Sequence, residues 1–304
     1  MAGQQHKHAY LILVHTCPNQ VRKLLTMLDD PRNDIYIHID RKAPFSKKDL
    51  AGCCVRSEVH FVEPRISVHW GGPSVMRAEL ALLKAATATP HAYYHLLSGQ
   101  DLPIKTQDEI HAFFQAHPDQ EFLQCWVMEA SYTDRFNYYT LFPENNRFIL
   151  SKKVNKLAKD ILMRFGARIN QDIDFHLSSQ WFSITDGFAR YVVSREDWLE
   201  QVFGHTSVPD EVFMATLLWN SPFKDRLFDA TLHQEQNASD RKALSGNLRL
   251  IDWTRGPSVR HPWTFRDEDW ELLMESPCLW ARKFDERSDA NVIGRLKKHL
   301  NATL

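Results

Sequence analysis

Two hydrophobic periods alternate through the first 126 residues. Tyr10–His15, Tyr93–Leu97 and Glu121–Trp126 are apolar runs of strand length. Asp34–Asp40 alternates strictly (Asp-Ile-Tyr-Ile-His-Ile-Asp), and Val59–Val62 is a shorter run of the same kind. Between them the period changes to that of a helix. Pro18–Leu28 carries Val21, Leu24, Leu25 and Leu28 on one face, Ser74–Ala86 carries Met76, Leu80 and Leu83, and Gln107–Ala116 follows. Strand–helix units of this length predict an α/β fold with a mostly parallel central sheet flanked by helices. Ligands of such sheets bind outside the carboxyl ends of the strands. His15, Asp40 and Ser98–Asp101 fall at those ends and are candidates to line a site.

The rhythm is lost over 127–177, where aromatic and charged residues concentrate (Tyr132, Arg135, Tyr138, Tyr139, Arg147, then Lys152, Lys153, Lys156 and Lys159). One basic helix is expected near 151–165, in a segment that reads equally as a lid or acceptor-binding insertion and as a solvated helix face. Regular structure then resumes. A strand is expected at Trp181–Ile184, helices at 186–203 and 209–219, a strand at Leu248–Trp253, a helix at Asp267–Glu275 and a last helix near 288–302.

Composition narrows the function classes. The chain has 304 residues, 43% hydrophobic and 25% charged, enough for one large domain. Its formal net charge of -1 supplies no basic field, so no nucleic-acid partner is expected. Ala9–His15 is too short to span a bilayer. The five cysteines are irregularly spaced and form no CxxC pair. Reduced thiols and a cytoplasmic location are therefore expected, the Asn237 and Asn301 sequons being chance matches.

The candidate chemistry lies mostly in the last third. Val208-Pro209-Asp210-Glu211 reads as an ordinary helix opening, with proline and acids in the first turn, and equally as a general base, Glu211, with Asp210 as its capping or orienting partner. Arg260 and Lys283 each read singly as surface cations. One acid with two fixed cations is also what a sugar-transfer enzyme needs if side chains rather than a metal ion must hold a departing diphosphate. Where a paired metal site would follow the Tyr93–Leu97 strand, only Asp101 is present. Asp172-Ile173-Asp174 and Asp267-Glu268-Asp269 have the spacing but not the setting, and His91 and His95 straddle a loop and a strand. No metal or other cofactor is expected. A lone Trp70-Gly71-Gly72 reads as a plain turn or as amides offered to a ligand. No P-loop or GxGxxG is present.

In order along the chain, Ile37-His38-Ile39-Asp40-Arg41-Lys42-Ala43, Trp70-Gly71-Gly72-Pro73-Ser74, Leu97-Ser98-Gly99-Gln100-Asp101-Leu102-Pro103-Ile104-Lys105-Thr106, Ser179-Gln180-Trp181-Phe182, Pro209-Asp210-Glu211, Asn247–Trp253 and Ala281-Arg282-Lys283-Phe284 resemble the motifs of the core-2/I-branching glycosyltransferases, family 14, which include the peptide O-xylosyltransferases. The resemblance implies a single GT-A-type domain over 1–304, with a nucleotide-binding half (1–126), an acceptor-side insertion (127–177) and a catalytic, diphosphate-binding half (178–304). It implies inverting, metal-independent transfer from a UDP-sugar to a glycan, glycolipid or peptide hydroxyl. Glu211 would be the base, and Arg260 and Lys283 the diphosphate cations. His15, Asp40, Trp70 and Asp101 would hold the donor, and Asp210, Gln180 and Trp181 would face or orient the acceptor. Gln180 replaces the aspartate of the xylosyltransferase Ser-Asp-Trp-Phe, so UDP-N-acetylglucosamine is preferred over UDP-xylose. A sugar-binding module that has lost turnover is the alternative of another class. No membrane span is expected. The chain would act in the cytoplasm, where contact with the inner face of a membrane is compatible with a glycolipid or capsule-type acceptor.

Overall fold

The structure, a computed structural model, describes residues 7–145, 148–228, 244–256 and 261–301. Arg260, Arg147 and Asn237 lie outside the described residues. The chain begins with β1 (His8–Val14), α1 (Pro18–Met27), β2 (Asn33–Ile39), α2 (Lys47–Leu50), β3 (Glu58–Phe61), α3 (Ser74–Ala86) and β4 (Tyr93–Ser98). β1, β2 and β4 are buried nearly throughout, as strands covered by helices on both faces must be.

β5 (Asp101–Pro103), α4 (Gln107–Ala116), β6 (Phe122–Leu123), β7 (Trp126–Val127), α5 (Ala130–Thr133), α6 (Ile149–Arg164), β8 (His176–Leu177) and β9 (Phe182–Thr185) follow. Then come α7 (Asp186–Ser194), α8 (Glu196–Phe203), α9 (Phe213–Trp219), β10 (Arg249–Ile251), α10 (Trp270–Glu275), β11 (Trp280–Arg282) and α11 (Ala290–Asn301).

The main sheet has the order β3-β2-β1-β4-β9-β6. β3, β2, β1 and β4 run parallel, with Tyr10 level with Ile35 and His95, and β9 is antiparallel to both β4 and β6. The expected α/β class with a mostly parallel sheet is therefore observed. The order reverses between β1 and β4, which opens a crevice at their carboxyl ends, beside His15 and Ser98. A second sheet, β10-β11-β5, places Arg282 of β11 opposite Asp101 of β5 in antiparallel register. Hydrophobic clusters fill both faces of the main sheet.

Four expected elements differ. Glu121–Trp126 is not one strand: β6 pairs with β9, whereas β7 pairs with β8. The helix expected at 186–203 breaks at Arg195, whose ψ of 15° leaves the helical path. The helix expected at 209–219 opens as a 3-10 turn over Pro209–Glu211 before α9 begins. The fourth difference is an omission: β5, directly after β4, was not expected and is a strand too short to show a period.

Candidate active site

Two banks of charged side chains are joined through the adjacent residues Gln180 and Trp181. On the first, Asp101 is fully buried and accepts from Ser98 N at 2.5 Å and from Arg282 Nη1 at 3.3 Å. Arg282 also donates to Ser98 Oγ at 2.6 Å, and its guanidinium lies 4.4 Å from the centre of the Trp181 ring. Charge pairing, hydrogen bonding and a cation–π contact thus fix one arginine at the crevice floor.

Arg249 braces the region from below. It is buried, donates to the carbonyls of Leu96 (2.6 Å), Phe182 (2.9 Å) and Asn247, and lies 5.0 Å from the Trp280 ring centre. Burial pulls its pKa down to about 9. One guanidinium therefore ties β4, the start of β9 and the start of β10 together.

Lys283, directly after Arg282, is half-buried. Desolvation and then the neighbouring Arg282 lower its pKa, with Asp285 opposing. Among the described residues no carboxylate comes within ion-pair distance of its ammonium. A cation held close to another cation is poised for an anionic ligand. His15, just past β1, has its pKa lowered by desolvation, raised by Asp40 and lowered by Arg282, Lys42 and Arg287. It therefore shares the electrostatic neighbourhood of this bank. Asp40, just past β2, accepts from Lys42 N at 2.8 Å, and its own amide bonds Val14 O. The structure thus gathers His15, Asp40, Asp101 and Lys283, and adds Arg282, which sequence reasoning did not single out although it stands inside the quoted Ala281-Arg282-Lys283-Phe284 motif.

The second bank is built of acids. Val208 stands in the left-handed region (φ 57°, ψ 50°), a strained choice for a β-branched residue. Its amide donates to Gly71 O at 2.8 Å, which pins Pro209-Asp210-Glu211 against the Trp70-Gly71-Gly72 loop. Gly71 itself has φ 72°, as this turn requires. A Cβ on Gly72 would collide with Glu144, whose carboxylate accepts from Ser74 N (2.9 Å) and Ser74 Oγ (2.7 Å). The 127–177 excursion is thereby anchored to the same loop, from which Trp70 projects, 61% exposed.

Glu211 is solvent-exposed, yet desolvation raises its pKa, with Arg135 opposing. Accessibility together with close surroundings on most sides is the signature of a carboxyl in a cleft. Asp210 is not a helix cap, because the N-cap positions here are Val208 and Val212. Its Oδ1 is buried without a partner, and desolvation followed by Glu211 pushes its pKa up to about 7. Behind it, Glu79 of α3 is buried, with its pKa raised well above normal by desolvation and then by Asp210. Gln180 donates to Glu79 Oε1 at 2.8 Å, so the structure shows it orienting a buried acid. Trp181, its neighbour, carries Arg282 on the opposite bank. Two adjacent residues therefore join the banks.

Among the described residues no group of three or more His, Cys, Asp or Glu is arranged to hold a metal. Asp174 engages Trp219 (2.9 Å) and His176 (3.5 Å), Asp269 engages Arg255 (2.6 Å) and Trp263 (2.9 Å), and Asp267 engages Arg295 (3.2 Å). The five cysteines form no disulfide with one another.

The family profile described as Core-2/I-Branching enzyme matches residues 8–275. Xylosyltransferase 2 of Rattus norvegicus is 27% identical over 315 aligned residues, covering 99% of this chain and 34% of its own length. Xylosyltransferase 1 of Homo sapiens is 25% identical over 307, covering 96% of this chain and 30% of its own. The chain thus spans about a third of the length of the curated relatives it matches. Among solved structures, mouse xyloside xylosyltransferase 1 in its apo form covers 90% of this chain and 96% of that one, at 9% identity and a TM-score of 0.33.

Proposed function

This chain belongs to the Core-2/I-branching enzyme family, and on that premise we propose that it is an inverting glycosyltransferase that uses a UDP-sugar without a metal ion. The observation that carries the reading is the link between the banks. Gln180 and Trp181 join the acid bank, where Glu211 is an accessible carboxyl with a raised pKa, to the bank of Arg282 and Lys283, whose ammonium has no carboxylate within ion-pair distance among the described residues.

The step is a single displacement. The acceptor hydroxyl oxygen bonds to the anomeric carbon while the carbon–oxygen bond to the diphosphate breaks, and UDP leaves with the electron pair. Glu211 takes the hydroxyl proton. Desolvation raises its pKa, which makes it a better base than an ordinary glutamate. Lys283 and the arginine-lined floor meet the charge that grows on the diphosphate. Arg260 is assigned as the second diphosphate cation by the motif resemblance alone. Asp40, His15 and Trp70 line the donor side.

The curated relatives carry xylosyltransferase names, which moves the donor preference to UDP-xylose. Gln180, in place of the aspartate of that branch, keeps UDP-N-acetylglucosamine as the second reading. A screen of UDP-sugars for UDP release, with sugar, glycolipid and peptide acceptors, separates the two. Release that depends on one donor and persists in EDTA is expected. No release with any donor, or release abolished by EDTA and restored by a divalent cation, would overturn the reading.

A further inference from the structure

The exposed apolar surface of this protein is concentrated in one place. Of the fifteen exposed large hydrophobic side chains among the described residues, twelve lie between Val127 and Phe165. Their centre is α6, a helix of 16 residues, about 24 Å long, none of which is buried. Leu150, Leu157 and Ile161 are spaced by seven and four, so they form one stripe, and Phe165 continues it at the helix end. They are 74%, 61%, 47% and 79% exposed. Val154, Ala158 and Leu162 are only partly covered on the inner side.

The same helix is basic. Lys152, Lys153, Lys156, Lys159 and Arg164 stand against one acid, Asp160. Lys159 is engaged by Asp134 at 3.2 Å. The other four make no ion pair among the described residues. Lys153, Lys156 and Arg164 lie on one flank of the apolar stripe. An acidic peptide would use the cations but leave the Leu-Leu-Ile-Phe stripe wet, and an apolar protein groove would strand the cations. A surface with an anionic outer layer over an apolar interior satisfies both, and such a surface is a bilayer containing anionic lipid.

We propose that the 127–165 surface, with α6 at its centre, is a docking face for an anionic lipid membrane. The face adjoins the candidate active site. Asp134, which holds Lys159, precedes Arg135, the cation that acts electrostatically on Glu211. Docking therefore brings the acid bank to the membrane surface, where an acceptor hydroxyl on a membrane-anchored molecule is within its approach. Docking is read without turnover, so it stands or falls separately from the transferase reading.

The test is flotation of the full chain with vesicles of phosphatidylcholine alone and of phosphatidylcholine with increasing phosphatidylglycerol, at low and high salt. Binding that rises with phosphatidylglycerol and weakens with salt is expected. Lys152→Gln/Lys153→Gln/Lys156→Gln should lower partitioning by about tenfold or more, and Leu150→Ser/Leu157→Ser/Ile161→Ser should abolish it at all salt concentrations. Both variants change only exposed side chains, so unchanged circular dichroism and Tm are expected to confirm folding. No binding of the unaltered chain to phosphatidylglycerol vesicles overturns the proposal. So does equal binding by folded variants, or a stable dimer that the serine variant converts to monomer without any lipid binding.

Discussion

The cation bank and the acid bank meet at Gln180–Trp181, yet they handle buried charge differently. Asp101 and Arg282 pair with each other, and together with Arg249 they engage carbonyls, a hydroxyl and two indole faces, with Arg249 Nε left without a partner. Glu79 and Asp210 each leave a buried carboxyl oxygen without a partner, and the two acids are set against each other electrostatically. A satisfied buried network holds a fold rigid, and a frustrated one marks a place selected for something other than stability. Changes on the acid side should therefore act on rate, and changes in the Asp101–Arg249 network mainly on folding.

Glu211→Gln should give the largest effect, with kcat lower by about 10²–10⁴ because the proton acceptor is gone, at nearly unchanged Tm. Steady-state UDP release measures it. Lys283→Ala should lower kcat/KM by about 10²–10³, as removal of one transition-state donor does elsewhere, and should weaken UDP binding too. Asp101→Asn should instead lower stability by about 3 kcal/mol, since it leaves Arg282 half-buried against a neutral partner. Urea unfolding reads this, and a variant as stable as the parent but slower would erase the distinction between the banks. Smallest, Glu79→Gln, which keeps Gln180 paired, should change kcat by only a few-fold while moving the acidic limb of the kcat–pH profile.

A further buried cluster, packed against Trp280 beneath Arg249, gives a pH test. His8 and His95 approach to 3.0 Å, and His111 bonds Asn33 at 2.9 Å. Desolvation lowers all three pKa values, that of His111 to about 4. These histidines stay neutral when folded but bind protons when unfolded. Their contribution to stability is therefore complete above about pH 6.5 and is lost as pH falls toward 4. That loss should be on the order of 1–3 kcal/mol for His111 alone, visible as a falling Tm.

Much of this was legible in the sequence. The period changes gave the main sheet, because strands covered on both faces must be apolar and their helices must be striped. Glu211 and Lys283 were singled out through their motifs. Glu79 was overlooked although a signal existed: it stands three residues after Met76 and four before Leu83, on the buried face of α3. The Asp101–Arg282 pair, 181 residues apart, depends on β5–β11 register, which no local pattern encodes. Asp210 looked like a capping residue because Pro-Asp-Glu opens helices, but the left-handed Val208 turns it inward.

The proposed function divides the labour: acids would act on the proton, cations on the diphosphate. Calorimetric titration of UDP into the unaltered chain, Glu211→Gln and Lys283→Ala tests it directly. Glu211→Gln should bind UDP within about threefold of the parent while transferring sugar about a hundredfold or more slowly, and Lys283→Ala should bind about tenfold or more weakly. Loss of UDP affinity in Glu211→Gln, or full affinity in Lys283→Ala, would contradict the account.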